Sequence, residues 1–173
     1  MTKTATYSLW LEPSGDIAFK LQERIKKLSS KYKTPVFSPH VTLLAGFKST
    51  ETELVSLANT LASTLEPFEL LLTTAGYTDE FYRALFVHVE KTKHLNEMYM
   101  MARQLFDIRG DEDFMPHLSL MYGELSQNEK ERILNIMGRE FHIRFPVKNI
   151  VAMHTDGKPH EWDRVHTAVF KNH

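Results

Sequence analysis

Pro39-His40-Val41-Thr42-Leu43-Leu44-Ala45-Gly46 and Pro116-His117-Leu118-Ser119-Leu120-Met121-Tyr122-Gly123 are two copies of one eight-residue phrase, 77 residues apart. Of the nine histidines, only His40 and His117 are followed two positions later by a hydroxyl residue. In an extended strand, residues i and i+2 point to the same face about 7 Å apart. Each phrase therefore presents an imidazole beside a hydroxyl, while Val41/Leu43 and Leu118/Leu120 turn the other way into a core. Two such strands facing one cleft would place two imidazoles and two hydroxyls around one small anion.

The surrounding elements repeat as well. Thr6 to Leu11 alternates like a strand, and Pro13-Ser14-Gly15 breaks it. Ile17, Leu21, Ile25 and Leu28 then recur at helical spacing to about Lys33. The first phrase follows as a strand, and Thr50 with Glu53 predicts a capped helix through Leu61. Phe68 to Thr74 and Ala84 to Val89 read as a strand pair around the turn-rich Gly76-Tyr77-Thr78-Asp79. In the second half, Thr92 to Phe106 reads as a helix and Asp107 to Asp113 as a polar loop. The second phrase is again a strand, and Ser126 with Glu129 opens another capped helix. Strands near Glu140–Phe145, Val147–His154 and Val165–Phe170 finish the chain. The capping residue follows the phrase glycine by four positions in one copy and by three in the other. An eight-residue repeat can arise by chance, but one embedded in a repeated order of elements indicates a duplicated unit.

The expected fold is thus α/β (α+β): a single domain of two pseudo-symmetric lobes, antiparallel-rich sheets facing a cleft, helices outside. Residues 12–90 are assigned to one lobe, and 91–173 with the N-terminal strand to the other. No linker or charge block separates independent domains.

Composition narrows the function. The 173 residues are 42% apolar and 25% charged, ordinary for a globular chain. A net charge of −1 gives no basic stripe for duplex nucleic acid, so no stable duplex partner is expected. Without cysteine, thiol catalysis, disulfides and thiolate metal sites are excluded. No apolar window approaches membrane-spanning length and no signal-peptide core is visible, so the expected setting is cytoplasmic, without a membrane partner. A small enzyme with its own cleft needs no partner to complete the site, so a monomer is expected.

Imidazole titrates near 6.5, so one histidine can serve as base while another serves as acid. Such a pair can take a proton from water and deliver one to a leaving alkoxide. The hydroxyls of Thr42 and Ser119 can donate to the non-bridging oxygens of a phosphate. That chemistry calls for no metal and no cofactor. A lone His-x-Thr is more often a strand histidine bonded to a neighbour; two copies in matched contexts point to a site.

At these residues the chain resembles the 2H phosphoesterase superfamily, named for two His-x-Thr/Ser motifs, and within it the plant and yeast type of cyclic phosphodiesterase. The matching stretches are Tyr7-Ser8-Leu9-Trp10-Leu11, Pro39-His40-Val41-Thr42, Met115 to Tyr122, Glu124-Leu125-Ser126 and Trp162-Asp163-Arg164-Val165. The resemblance implies a bilobal fold around a water-filled cleft. It also implies hydrolysis of nucleoside 2′,3′-cyclic phosphates to 2′-phosphates, and of ADP-ribose 1″,2″-cyclic phosphate to ADP-ribose 1″-phosphate. Carried over by motif, His40 and His117 are the catalytic pair, Thr42 and Ser119 grip the phosphate, and Tyr122 helps hold phosphate or water. Strict alternation turns Tyr122 away from Ser119, so a twist or bulge next to Gly123 is required. With Tyr122 near it, His117 is expected to activate the water, and His40 to protonate the leaving oxygen.

Tyr82, with Phe81 and Arg83 at a turn, is a candidate for stacking on a base. Trp10 lies on the face opposite Leu9 and Leu11, toward either cleft or solvent. Met98, Met100 and Met101 read as flexible core filler. His154, His160 and His166 recur every six residues, but Gly157-Lys158-Pro159 interrupts the run, which argues against a metal site. The expected partner is a small cyclic-phosphate nucleotide. Two alternatives remain open: an RNA-end enzyme (a 2′,5′ RNA ligase/phosphodiesterase or a 3′-end exonuclease), which would want a basic track, and a non-catalytic nucleotide-binding module, which would not need two proton-exchanging groups.

Overall fold

The computed structural model describes residues 3–110 and 113–172. Strand β1 (Thr4–Leu11) leads to helix α1 (Gly15–Tyr32), strand β2 (Val41–Thr50) and helix α2 (Glu51–Ala62). Strands β3 (Phe68–Gly76) and β4 (Leu85–Val89) follow, separated by a 3-10 turn at Phe81–Arg83. Helix α3 (Lys93–Leu105), strand β5 (His117–Met121) and helix α4 (Gln127–Met137) repeat the pattern. Strands β6 (Glu140–Val147), β7 (Asn149–His154) and β8 (Asp163–Val169) complete the chain. Asp111 and Glu112 of the expected polar loop lie outside the described residues.

The capping residues start the helices where the sequence places them. The Thr50 hydroxyl accepts from Glu53 N at 3.3 Å, and the Thr92 hydroxyl accepts from Leu95 N at 3.1 Å. Ser126 and Glu129 form a complete reciprocal box. The Thr50–Glu53 pair forms only half of one, because the Glu53 carboxylate instead accepts from the Ser49 hydroxyl at 3.0 Å. The methionine group divides: Met98 is buried on α3, whereas Met100 and Met101 are exposed, their positions falling on the helix's outer side.

All eight strands join one antiparallel sheet in the order β6-β3-β4-β5-β2-β1-β7-β8. The two His strands sit at its middle, and a single residue pair, Val41 with Leu118, joins them among the described residues. Outward from that pair the sheet reads β2, β1, β7, β8 on one side and β5, β4, β3, β6 on the other. These half-sheets do not follow the split at about residue 90. Each takes two strands from the first part of the chain and two from the second, because the chain crosses from β2 through α2 to β3 and returns from β6 to β7. The packing is crossed too: α1 lies on β5 and α3 on β2, while α2 covers β7 and β8. One continuous apolar core takes side chains from every strand and helix. The curled sheet of two matched halves with helices outside is the α/β (α+β) architecture expected from the repeat.

Both His strands carry the same irregularity. Trp10 pairs with Thr42 and Leu9 with Leu44, skipping Leu43. Phe86 pairs with Ser119 and Leu85 with Met121, skipping Leu120. Each extra residue is the third after its histidine, a one-residue bulge that reverses the alternation of side chains beyond it. This reversal is what returns Tyr122 to the face of Ser119. Gly123 then ends the strand at φ 144°, with its N–H donating to Phe81 O at 2.9 Å. A Cβ there would stand 2.9 Å from the Thr34 methyl. Gly123→Ala is therefore expected to lower stability by about 1–3 kcal/mol through backbone strain and crowding, measured by urea unfolding. A variant as stable as the parent would show that this turn does not depend on glycine.

Candidate active site

Antiparallel register fixes how the two motifs meet. Val41 opposite Leu118 places His40 alongside Ser119, and Thr42 alongside His117. Val41 and Leu118 are fully buried on the helix-covered side, so the four motif side chains share the other, concave side. The histidine of each motif thus faces the hydroxyl of its counterpart. His117 lies near enough to His40 to oppose its protonation.

Each ring is held by the same local contact. His40 Nδ1 meets Ser38 O at 2.7 Å, and His117 Nδ1 meets Met115 O at 2.8 Å. A carbonyl can only accept, so both Nδ1 atoms carry hydrogen and both Nε2 atoms are left to exchange a proton. In each case the accepting carbonyl lies two residues before the histidine, across the proline. Pro39 and Pro116 keep the preceding residue extended, the local conformation in which this contact forms.

The two imidazoles differ in surroundings. His40 lies flat against Trp10, with centroids 3.5 Å apart and planes 6° apart, and Phe37 meets its edge at 6.3 Å. Burial pushes its pKa down to about 4, partly offset by the Ser38 bond and lowered further by His117. His117 is half-buried and meets the edge of Phe86 at 5.2 Å. Its pKa is also lowered, first by burial and then by Arg83 and His88, against the raising effects of the Met115 bond and Glu80. Both rings are therefore neutral in the free protein at neutral pH, and His40 is the harder to protonate.

Tyr122 is buried, stacked on Phe37 at 3.7 Å and met edge-on by Tyr82 at 5.1 Å. Burial raises its hydroxyl well above the ordinary tyrosine pKa, so it acts as a neutral donor. Tyr82, half exposed, reaches across to Trp162 at 5.9 Å, and Trp162 meets both Trp10 and Tyr122. These rings close one end of the concave face, drawing on both half-sheets. Beside them, Trp10, Phe37, Met153, Pro159 and Trp162 line a depression of about 340 Å³. The turn carrying Tyr82 is tied down by α4: Lys130 Nζ donates to Thr78 O at 2.8 Å, and the Tyr77 hydroxyl donates to Glu131 at 2.9 Å.

The two motif hydroxyls are used differently. The Ser119 hydroxyl donates to Tyr82 O at 2.8 Å, while Thr42 Oγ1 has no hydrogen bond among the described residues. Thr42 is thus free to donate to a bound anion, whereas Ser119 would first have to release Tyr82.

All seven residues singled out from the sequence (Trp10, His40, Thr42, Tyr82, His117, Ser119 and Tyr122) fall on this face or its aromatic rim. Charged side chains around this face have partners of their own. Lys48 meets Asp156 and Thr6, and Arg164 pairs with Glu12 at 2.6 Å. Arg83 pairs with Glu80 at 2.8 Å beside the cleft. His154 bonds Asp156 and His166 bonds Asn59, so these histidines have separate partners. Among the described residues no group of three or more histidine or carboxylate side chains is arranged to hold a metal ion.

Two aromatic residues of the site were not recognised from the sequence. Phe86 stands opposite Ser119 as Trp10 stands opposite Thr42. Phe37 supports Tyr122. A signal for the first was present: Leu9-Trp10-Leu11 and Leu85-Phe86-Val87 each put an aromatic between aliphatics, 30 and 31 residues before the respective histidine. Phe37 had no such signal, since its position depends on how the loop after α1 meets the end of β5.

Residues 5–152 match the family described as cyclic phosphodiesterase-like protein. The cyclic phosphodiesterase of Arabidopsis thaliana is 25% identical over 129 residues, covering 75% of this chain and 71% of that one. In fold, the chain is similar to the TT0787 protein of Thermus thermophilus, with TM-score 0.69 at 18% identity and coverage of 95% and 97%. It is likewise similar to E. coli LigT complexed with 3′-AMP, with TM-score 0.67 at 14% identity and coverage of 98% and 100%. Two His-x-Thr/Ser strands paired at the centre of one curled sheet, and a family match running from β1 into β7, make this chain a member of the cyclic phosphodiesterase-like family of 2H phosphoesterases.

Proposed function

We propose that the protein hydrolyses small nucleoside 2′,3′-cyclic phosphates to 2′-phosphates, and ADP-ribose 1″,2″-cyclic phosphate to ADP-ribose 1″-phosphate, by general acid–base catalysis with His40 and His117. The observation that carries this reading is the matched pair of Nδ1–H contacts to Ser38 O and Met115 O, which leaves two Nε2 atoms for proton exchange. A binding module would gain nothing from holding two imidazoles in the same tautomer. Family membership supports the reaction class. The likeness to a fold solved with 3′-AMP agrees with a small nucleotide as ligand.

The environments of the rings support a division of roles opposite to the one expected from the sequence. Tyr122 was expected to position water near His117, yet its ring stacks on Phe37, the residue that also meets His40. The base must be neutral and the acid protonated when substrate binds. His40, held at about 4, is neutral across the working range and supplies its Nε2 lone pair. His117 is the less deeply buried ring and the better carrier of a proton. In the step, His40 takes a proton from water as the water oxygen bonds to phosphorus. The bond from phosphorus to the leaving ribose oxygen breaks, opening the cyclic phosphate, and that oxygen takes the proton of His117. His40 then releases the proton it took from water, and the more open His117 takes one up from solvent, which restores the pair. Thr42 donates to a non-bridging oxygen, and Ser119 holds Tyr82 at the rim.

Hydrolysis of 2′,3′-cyclic AMP and ADP-ribose 1″,2″-cyclic phosphate, with products identified by NMR, tests the reading directly. Turnover is expected to persist in EDTA and to fall by about 10²–10⁴-fold in His40→Ala and in His117→Ala. A wild-type chain inactive on both compounds would overturn it.

The pH dependence of kcat/KM reports the free protein. Both relevant groups lie below the ordinary imidazole value. Activity should rise as His40 loses its proton near pH 4, then fall once pH exceeds the lowered value of His117, so the optimum lies below about 6.5. His117→Gln should remove the alkaline limb and His40→Gln the acid limb. An optimum above pH 7 in the wild type, or the limbs exchanged between the two variants, would refute this division.

Thr42 and Ser119 should separate in kinetics. Thr42→Val is expected to cost about 10²-fold in kcat, as for a lost oxyanion donor. Ser119→Ala should cost less in kcat and more in KM, because it frees Tyr82. Equal losses in kcat would mean that both hydroxyls grip the phosphate.

A further inference from the structure

His88 stands directly opposite His117 in the β4–β5 pair, on the same concave side as Phe86 and Ser119. Its ring is half-buried, packed edge-on against Phe86 at 5.0 Å, and has no hydrogen bond among the described residues. In the pseudo-symmetric half the matching residue is Glu12, next after Leu11, which pairs with Val41 as Val87 pairs with Leu118. Glu12 is committed to Arg164 at 2.6 Å. The two sides of the cleft therefore differ: the position beyond His40 is taken by a paired carboxylate, and the position beyond His117 by an imidazole without a hydrogen bond among the described residues.

Gly76 supplies a second, independent observation. It is not among the glycines with positive φ, so its backbone does not call for glycine. A Cβ at this position would lie 3.5 Å from His88 Nε2 and 3.6 Å from the Phe86 ring. A larger side chain would cover that nitrogen. The missing side chain leaves His88 Nε2 uncovered on that side.

Arg83 lies on the same side, close enough to His117 to oppose its protonation. Its guanidinium keeps one carboxylate partner, Glu80, on the exposed turn. Neighbouring strands lie about 4.8 Å apart, so His88 is one strand further from the divide than His117. The reacting phosphate sits over the divide, between His40 and His117. His88 is thus placed for a different part of the same ligand.

We propose that His88, Gly76 and Arg83 form a second anion position on the His117 side of the cleft, which takes an additional phosphate of the nucleotide. His88 donates to a phosphate oxygen through Nε2, Gly76 makes the room, and Arg83, held by Glu80, offers a further donor at the rim. The preferred substrates are then nucleoside cyclic phosphates that carry a further phosphate or diphosphate, and the donor present on one side alone sets which way round they lie. This inference rests on the nucleotide reading above, with the reacting phosphate between the two motif histidines.

Equilibrium binding tests it without requiring turnover. Adenosine 2′-phosphate and adenosine 2′,5′-bisphosphate are titrated by calorimetry into the full chain, into His88→Gln and into Gly76→Val, with the fold of each variant checked by thermal unfolding. The wild type is expected to bind the bisphosphate at least tenfold more tightly. That advantage should shrink to within about twofold in both variants, by loss of the donor in one and of the space in the other. Equal affinity of the wild type for the two ligands, or an advantage that survives either substitution in a folded variant, overturns the proposal. If the advantage is present and lost as expected while 2′,3′-cyclic AMP is not hydrolysed, the catalytic reading fails and the anion position stands.

Discussion

The pairing of Val41 with Leu118 is the constraint on which the site depends. Antiparallel geometry allows no freedom once that pair is made: each histidine must lie beside the other motif's hydroxyl, and all four must face one side. A slip of one residue would turn one of the two motifs over, sending its imidazole into the core and bringing its aliphatic residue to the surface. Burial of two aliphatic side chains therefore enforces the register that the polar residues need. Because one pair is a short ladder, the half-sheets are held at this angle mainly by the crossed packing of α1 on β5 and α3 on β2. The exchange of strands between halves serves the same end, since neither half can move without disturbing the common core.

Within this frame a duplicated unit has become an unequal pair. The Nδ1 contacts, the bulges after each motif and the aromatic opposite each hydroxyl are shared. The aromatics differ, and the difference is chemical. Trp10 stacks on one face of His40 and leaves its edge to the cleft, whereas Phe86 meets His117 with its edge and leaves that ring partly open. Equal rings in equal surroundings would compete for one proton. Unequal burial orders them, and an ordered pair can begin each cycle with the proton in a defined place.

Much of this was legible in the sequence, because it is local. The His-x-Thr/Ser spacing, the caps at Thr50 and Ser126, and the alternation of β1 are written in consecutive residues. So was the need for an irregularity before Gly123, since strict alternation and a role for Tyr122 could not both hold. What could not be read depends on partners distant in the chain. Whether Trp10 faces cleft or solvent is decided by the curl of the sheet. That Ser119 spends its proton on Tyr82 depends on where α4 anchors a turn 37 residues earlier. The lobes escaped the reading for the same reason: contiguity in sequence suggested a division at residue 90, while strand order follows the crossovers.

The Ser119–Tyr82 bond also joins the two functions of the face. Ser119 stands in the second motif beside His40, and its proton holds the backbone of the residue whose ring meets Tyr122 and Trp162. An anion between the histidines offers that hydroxyl a charged acceptor, and hydrogen bonds to charged acceptors are about twice as strong as neutral ones. On the proposed reading, occupation of the phosphate position would compete directly with the tie that holds Tyr82. The proposed reacting centre would then be coupled to the rim through one hydroxyl proton, and the difference between the motifs, one hydroxyl free and one engaged, is what makes that coupling available.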